Sequence, residues 1–380
     1  MALFNVTIDN TKVDATLTDY PLYVDLSDMP ANFWSTVAAG GGDIRVYEAD
    51  GITELAREVV YCDTATDTGE LHIKVPSVSG TVDTVVKIDV DGIRSDYGVA
   101  ATYGRNAVWS NGFQAVFHLQ EDPTTSAPQF ADSTGNGRNL TAQGSMTSGD
   151  SVAGKLSGKG IDFDGINDAL RNTAWTWGGG AVTLTGWNKS RTPNQGSDWV
   201  GFNASSTLNR FSNHGPWSDG NWYWDYGNAL GAGRISTSYT SYNNAWTHVA
   251  LVSSGSANTF RGIYFNGALV NSIAGSSSPA SNPTNFAIGS GDVGRFNKGE
   301  IDEVRIAEGV RAATWISTEY NNQNSTSTFY VVTTESSSGQ IKVYDGTAFV
   351  AKPVKVWNGS AWVIKPLKRW DGTVWVTTPY

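Results

Sequence analysis

Hydrophobic and polar positions alternate in short bursts along the whole chain, and long helical periodicity is rare. In the first hundred residues the runs FNVTIDNTKV, YPLYVDLS, DIRVYEADG, ELAREVVYCD, ELHIKVPSV and TVVKIDVDG are rich in Val, Ile and Tyr, and turn residues separate them. Such spacing predicts a small N-terminal β-sandwich over residues 1–108, with one short helical turn in MPANFWSTVAAGGG. From Val108 the loops become rich in Gly, Asn and Ser. FQAVFHL, GIDFDG, AVTLTGWNK, DWVGFN, NWYWDY, WTHVALVSS, RGIYFNGALV, NFAIGS and IDEVRIA read as strands of a two-sheet jelly roll over residues 109–333. The best helix in the chain is RAATWISTEYNNQ, and it is short. The predicted fold class is therefore all-β.

A polar linker, residues 334–340, precedes a 13-residue unit that repeats three times over residues 341–380: IKVYDGTAFVAKP, VKVWNGSAWVIKP and LKRWDGTVWVTTP. Asp-Gly or Asn-Gly sits between strand-like arms in each, the signal of a hairpin. A four-residue loop would set Tyr344 opposite Phe349, Trp357 opposite Trp362 and Trp370 opposite Trp375. Lysines and Arg369 outnumber Asp345 and Asp371 in this tail, so it is a candidate docking element for an acidic partner. The alternative is that its lysines protect strand edges from aggregation.

Composition narrows the function. A formal net charge of −10 argues against a nucleic-acid binder, which needs clustered Lys and Arg. The single cysteine, Cys62, excludes an internal disulfide and a Cys-based zinc site. No apolar stretch approaches the ~20 residues that span a bilayer, so no membrane insertion is expected. MALFNVTIDN carries neither a charged n-region nor a long apolar h-region. With 42 Gly and 15 Trp the composition resembles that of extracellular sugar-binding proteins. A virion protein, made in the host cytoplasm and released by lysis, reconciles the two. A mature fragment whose signal has been removed is the competing explanation.

Several segments resemble known families. AVWSNGFQAVFHLQED resembles a junction found in bacterial and phage proteins, where a small β-sandwich module precedes a lectin-like domain. FADSTGNGRNLT, GKGIDFDGINDAL, AWTHVALVSSGSANTFRGIYFNGALV and KGEIDEVRIAEGVRAATWISTEYNN resemble the laminin-G-like or concanavalin-A-like lectins. The C-terminal units are similar to those ending phage tail-fibre and other virion proteins. Together these resemblances imply a structural virion protein of a bacteriophage, a tail fibre or tail tip, binding host surface glycan. A capsid or tail decoration or spacer protein making only protein contacts and a bacterial cell-surface adhesin are the alternatives. Other virion proteins, bound through the repeats, and homo-oligomerisation are expected with it.

Candidate chemistry is sparse. Glycosidases of the lectin-like fold carry Glu-x-Asp-x-x-Glu on one strand, whereas this chain has Glu300, Asp302 and then Arg305, so no enzyme activity is expected. His72, His118, His214 and His248 are scattered, and those in strands read as structural. Asp302, placed by alternation on the face of Val304 and Ile306, would need a partner or a cation. Related lectin-like domains carry a structural calcium between an early loop and the last strand, which Asp132, Asn136 and Asp302 would match here. The competing view is a salt bridge for Asp302 and an Asx-turn at Asp132. No other cofactor is called for. In PWSDGNWYWDYG, alternation sends Trp222, Trp224 and Tyr226 to the core, leaving Trp217, Asp219, Asn221 and Tyr223 as candidate glycan ligands.

Overall fold

The computed structural model describes residues 2–203, 207–230, 233–275, 277–279, 281–291, 294–335, 340–344, 349–364, 368–370 and 375–377. The chain is all-β, with antiparallel sheets throughout. Near the N-terminus a five-stranded sheet runs in the order Tyr330–Thr334, Ala2–Ile8, Thr84–Val90, Arg45–Glu48, Glu54–Leu55. Facing it, a three-stranded sheet joins Leu17–Asp25, Thr68–Val78 and Arg57–Asp63. Phe4, Val6 and Ile8 alternate into the space between them, as a period of two requires. A short helix at Ala31–Trp34 seats Phe33 against Phe4, their rings 5.6 Å apart.

The central body is a sandwich of two larger sheets. One has eight strands, with Lys298–Glu308 and Val182–Ser190 at its middle; the other has seven, ordered Arg234–Ser238, Asn221–Gly227, Arg210–His214, Val200–Asn203, Thr284–Ile288, Ala169–Thr176, Thr141–Gln143. Leu184, Leu251 and Val304 from the first meet Phe211, Trp224 and Phe286 from the second in one fully buried core.

The two sandwiches are packed together. Phe113–Phe117 pairs with the long strand Lys298–Glu308, sending Ala115 and Phe117 into the central core and Val116 into the N-terminal one. The predicted helix is present at Ala313–Asn324, and Trp315 from it joins the N-terminal core. The chain then adds Tyr330–Thr334 as an edge strand on Ala2–Ile8, so residues 330–333, assigned to the end of the central domain from sequence, lie in the N-terminal sheet.

Of the linker, residues 336–339 fall outside the described residues, as do the Asp-Gly turns at 345–348 and 371–374. Backbone pairing joins Tyr344 to Phe349, Trp357 to Trp362 and Trp370 to Trp375 in three two-stranded ladders. In the middle one the two indoles lie edge to face at 5.8 Å, and the Asn358 side chain accepts from the Ser360 and Ala361 N–H groups.

Candidate functional site

The hairpin Arg210–His214 to Asn221–Gly227 builds the most ligand-like surface. Its register places Phe211 opposite Tyr226, Ser212 opposite Asp225 and His214 opposite Tyr223. Alternation then divides the faces. Phe211, Trp222, Trp224 and Tyr226 enter the sandwich core, while Arg210, His214, Tyr223 and Asp225 occupy the outer face.

The connection of that hairpin folds back as a loop. Trp217 N–H donates to the Asn221 carbonyl at 2.8 Å, and Gly220, at φ +81°, supplies the left-handed residue that the turn needs. Asp219 accepts from the Asn221 N–H at 2.9 Å and from the Tyr223 hydroxyl at 2.6 Å. That hydroxyl bond holds the Asp219 carboxyl below its ordinary range and raises Tyr223. The four candidate ligand residues are thus brought together in two roles. Trp217 and Tyr223 present half-buried rings, and Asp219 and Asn221 brace the turn carrying them.

Between the rings lies a cavity of about 240 Å³ lined by Arg210, His214, Trp217, Tyr223, Arg234 and Arg295. Arg295 lies over Trp217 at 5.2 Å and Arg234 over Tyr223 at 5.1 Å. Beneath them, Asp225 accepts from Arg234 Nε and Nη2 at 2.6 Å each and from Arg210 Nη1 at 2.8 Å. Burial works to raise Asp225, but the hydrogen bonds of Arg234 and His214 and their charges hold it well below the usual carboxylate range. His214 bonds to Asp198 through Nδ1 and lies 3.3 Å from Asp225 through Nε2. Burial lowers the imidazole, and these two aspartates raise it by more. The charged part of this cavity was not anticipated from sequence. The RFSNH alternation, with Arg210, Ser212 and His214 on the face opposite Phe211, was the available signal.

A second cavity, of about 420 Å³, lies where the strand Arg57–Asp63 meets the loops after Phe113–Phe117. Its polar wall is engaged with itself. Glu58 accepts from Trp109 Nε1 at 2.5 Å and Ser133 Oγ at 2.7 Å, and lies 3.1 Å from His118 Nε2. Behind it, His118 Nδ1 contacts Glu303 and, at 3.2 Å, Glu70. Burial opposes a charged imidazole here, yet Glu303 and Glu58 raise His118 well above its ordinary value. Glu70, His72, His118 and Glu303, all buried, offer donor atoms within 4.8 Å of one another, a set able to hold a cation.

The proposed calcium ligands are placed differently. Asp132 closes an Asx-turn, accepting from Thr134 N–H at 2.9 Å, and also from Val116 and Arg138 N–H. The Asn136 amide donates to the carbonyls of Phe113 and Gln114. Asp302 accepts from the Lys155 and Leu156 N–H groups at 2.7 and 3.1 Å. Asp132 and Asp302 share no hydrogen-bond partner among the described residues.

A β-bulge explains Asp302. Thr185 pairs with Arg305 and Trp187 with Asp302, so one residue more lies on this strand than on its partner, and Glu303 takes φ +51°. Ile301, Val304 and Ile306 still face the core, while Asp302 leaves the face that simple alternation gave it. Burial, then the neighbouring Glu303 charge, raises Asp302 to about 7. Its folded pKa therefore exceeds its unfolded one, so its contribution to stability is complete in acid and is lost as pH rises through about 7. Urea titrations from about pH 5 to about pH 8 should show the wild type losing stability relative to Asp302→Asn, which keeps an oxygen for Lys155 and Leu156. Parallel pH profiles would refute this.

The remaining members of the near-glycosidase triplet have structural partners. Glu300 pairs with Lys189 at 2.9 Å, and Arg305 Nη2 pairs with Glu303 at 2.7 Å.

Residues 164–317 match the family model described as the concanavalin A-like lectin/glucanases superfamily. The central body has a concanavalin A-like fold. Among solved structures, the chain is similar to domain 4 of AbnA, a GH43 extracellular arabinanase from Geobacillus stearothermophilus in complex with arabinotriose. That match has 20% identity and a TM-score of 0.41, over 55% of this chain and 98% of that one. It is also similar to the receptor-binding domain of botulinum neurotoxin C/D mosaic serotype, at 12% identity and TM-score 0.41, over 56% of this chain. A structure of botulinum neurotoxin type C, a toxin whose cell entry is described as dependent upon interaction with two ganglioside molecules, matches at 14% identity and TM-score 0.42, over 57% of this chain. The chain spans about half the length of these toxin chains, 51% and 52%. No curated protein sequence matches the chain. No helix among the described residues is long and apolar enough to cross a membrane.

Proposed function

We propose that this chain is a non-catalytic glycan-binding protein whose ligand site is the cavity between Trp217 and Tyr223. The observation that carries the proposal is this pair of half-buried rings flanking a cavity of about 240 Å³ on the outer face of the seven-stranded sheet. Pyranose rings present apolar C–H faces that stack on indole and phenol, while their hydroxyls need polar partners at the edges. The cavity supplies both, and its volume suits one or two sugar rings rather than a long chain. Among the described residues no carboxyl group lines it, whereas glycoside hydrolysis ordinarily uses two flanking the bond.

Glycan arrays followed by calorimetry test the assignment. Trp217→Ala and Tyr223→Ala are each expected to weaken binding about tenfold or more, roughly 1.4 kcal/mol per decade. Unchanged affinity in both variants, or an array with no ligand, would refute it. The setting we propose is the outer part of a bacteriophage tail fibre or tail tip, attached through the three C-terminal repeats. Labelled particles with the protein at a distal tip would support that setting, and a lattice position on the capsid would favour a decoration role.

A further inference from the structure

We infer that the sugar taken by this cavity is acidic, a pyranoside bearing a carboxylate, sulfate or phosphate. The inference rests on the glycan reading of the same cavity and adds the chemical class of its ligand.

The arrangement of charge carries it. Both aspartates of the cluster, Asp198 and Asp225, are fully buried, and neither lines the cavity. They act from below, fixing cations whose remaining faces look into the space. Arg234 engages Asp225 through Nε and Nη2, yet its side chain is still 38% exposed. Arg210 is 9% exposed, its Nη1 is on Asp225, and its Nε has no hydrogen-bond partner. His214 adds an imidazole pinned between the two aspartates, and the Arg295 guanidinium lies 5.2 Å from the centre of the Trp217 ring.

Among the described residues, a ligand entering here meets N–H donors and aromatic faces, with no lining carboxylate to accept from its hydroxyls. Neutral sugars need acceptors as well as donors, so a wall of donors alone pairs them poorly. An oxyanion on the sugar ring fits, because planar guanidinium N–H groups match carboxylate, sulfate and phosphate oxygens and the resulting bonds are charge-assisted. The floor residues Arg210 and His214 are buried, which strengthens each such bond.

The test is an array of matched oligosaccharides, neutral, uronate-bearing, sialylated, sulfated and phosphorylated, read against wild type, Trp217→Ala, Arg234→Gln and Arg295→Gln. Acidic members should bind and their neutral counterparts should not, with affinity falling steeply as NaCl is raised. Arg234→Gln should weaken acidic ligands about tenfold or more. Arg295→Gln, at the rim and away from buried Asp225, serves as a second variant should Arg234→Gln lower the melting temperature, and it too should weaken acidic ligands. The preferred acid group separates carboxylate from sulfate and phosphate sources. Salt-insensitive binding of neutral sugars that is still lost in Trp217→Ala would overturn the acidic class and leave the glycan site standing. Silence across the whole array would sink both.

Discussion

Arg305→Leu is expected to lower the unfolding free energy by about 3–5 kcal/mol, because it removes one side of a buried charge network and leaves the other. Arg305 is 1% exposed. Its Nη2 and Nε reach Glu303 at 2.7 and 3.2 Å, and its Nη1 lies 3.8 Å from Glu319. The guanidinium also lies 5.0 Å from the centre of the Trp109 ring. Burial alone would raise both carboxyl groups. Instead the charges of His118 and Arg305 hold Glu303 well below its ordinary value, and the His248 hydrogen bond and Arg305 charge hold Glu319 down to about 2. Without the guanidinium, Glu303 would be left with His118 and Glu319 with His248 and Thr185, and both carboxylates would be less well compensated between the sandwiches. Denaturant titration near neutral pH measures the loss. Replacing Glu303 and Glu319 by Gln together with Arg305→Leu should recover much of it, since removing both sides of a buried pair is far cheaper than removing one. A loss under about 1 kcal/mol for Arg305→Leu would show that the network contributes little.

Trp224→Ala should be as costly, for a different reason. Trp224 is fully buried, packs on Phe211 at 5.6 Å and Tyr226 at 5.5 Å, and donates from Nε1 to the Val252 carbonyl of the opposite sheet at 3.2 Å. Truncation removes that bond and opens a cavity that sheet backbones on both sides cannot collapse to fill, an expected loss of about 3–5 kcal/mol. Tyr223→Ala, one residue away and pointing outward, should cost under about 1 kcal/mol while removing much of the glycan affinity. Stability and binding are therefore expected to separate on adjacent residues of one strand. Equal destabilisation of the two variants would contradict the division of faces.

The all-β class and the helix at Ala313–Asn324 were legible because local alternation and helical spacing are short-range properties. The edge strand Tyr330–Thr334 was not read from sequence, since its pairing with Ala2–Ile8 is decided by tertiary packing over more than 300 residues. The bulge at Glu303 was not legible at all. A left-handed φ at a glutamate has no local signature, and the extra residue carried Asp302 off the face predicted for it. In the cavity, Tyr223 followed from the alternation of NWYWDYG and Trp217 from its place in the loop before it. The arginines did not, because Arg210, Arg234 and Arg295 come from separate strands and a loop that only the seven-stranded sheet brings together. Arg305 could be read from sequence as a missing catalytic carboxylate, but its pairing with Glu303 and Glu319 required the structure.

The central claim is tested most directly by a crystal structure of the protein with the strongest glycan from an array. The account predicts a sugar ring between Trp217 and Tyr223, with an acidic group within hydrogen-bond reach of Arg210 or Arg234. A glycan bound elsewhere, for instance in the cavity walled by Glu58 and His118, would contradict it.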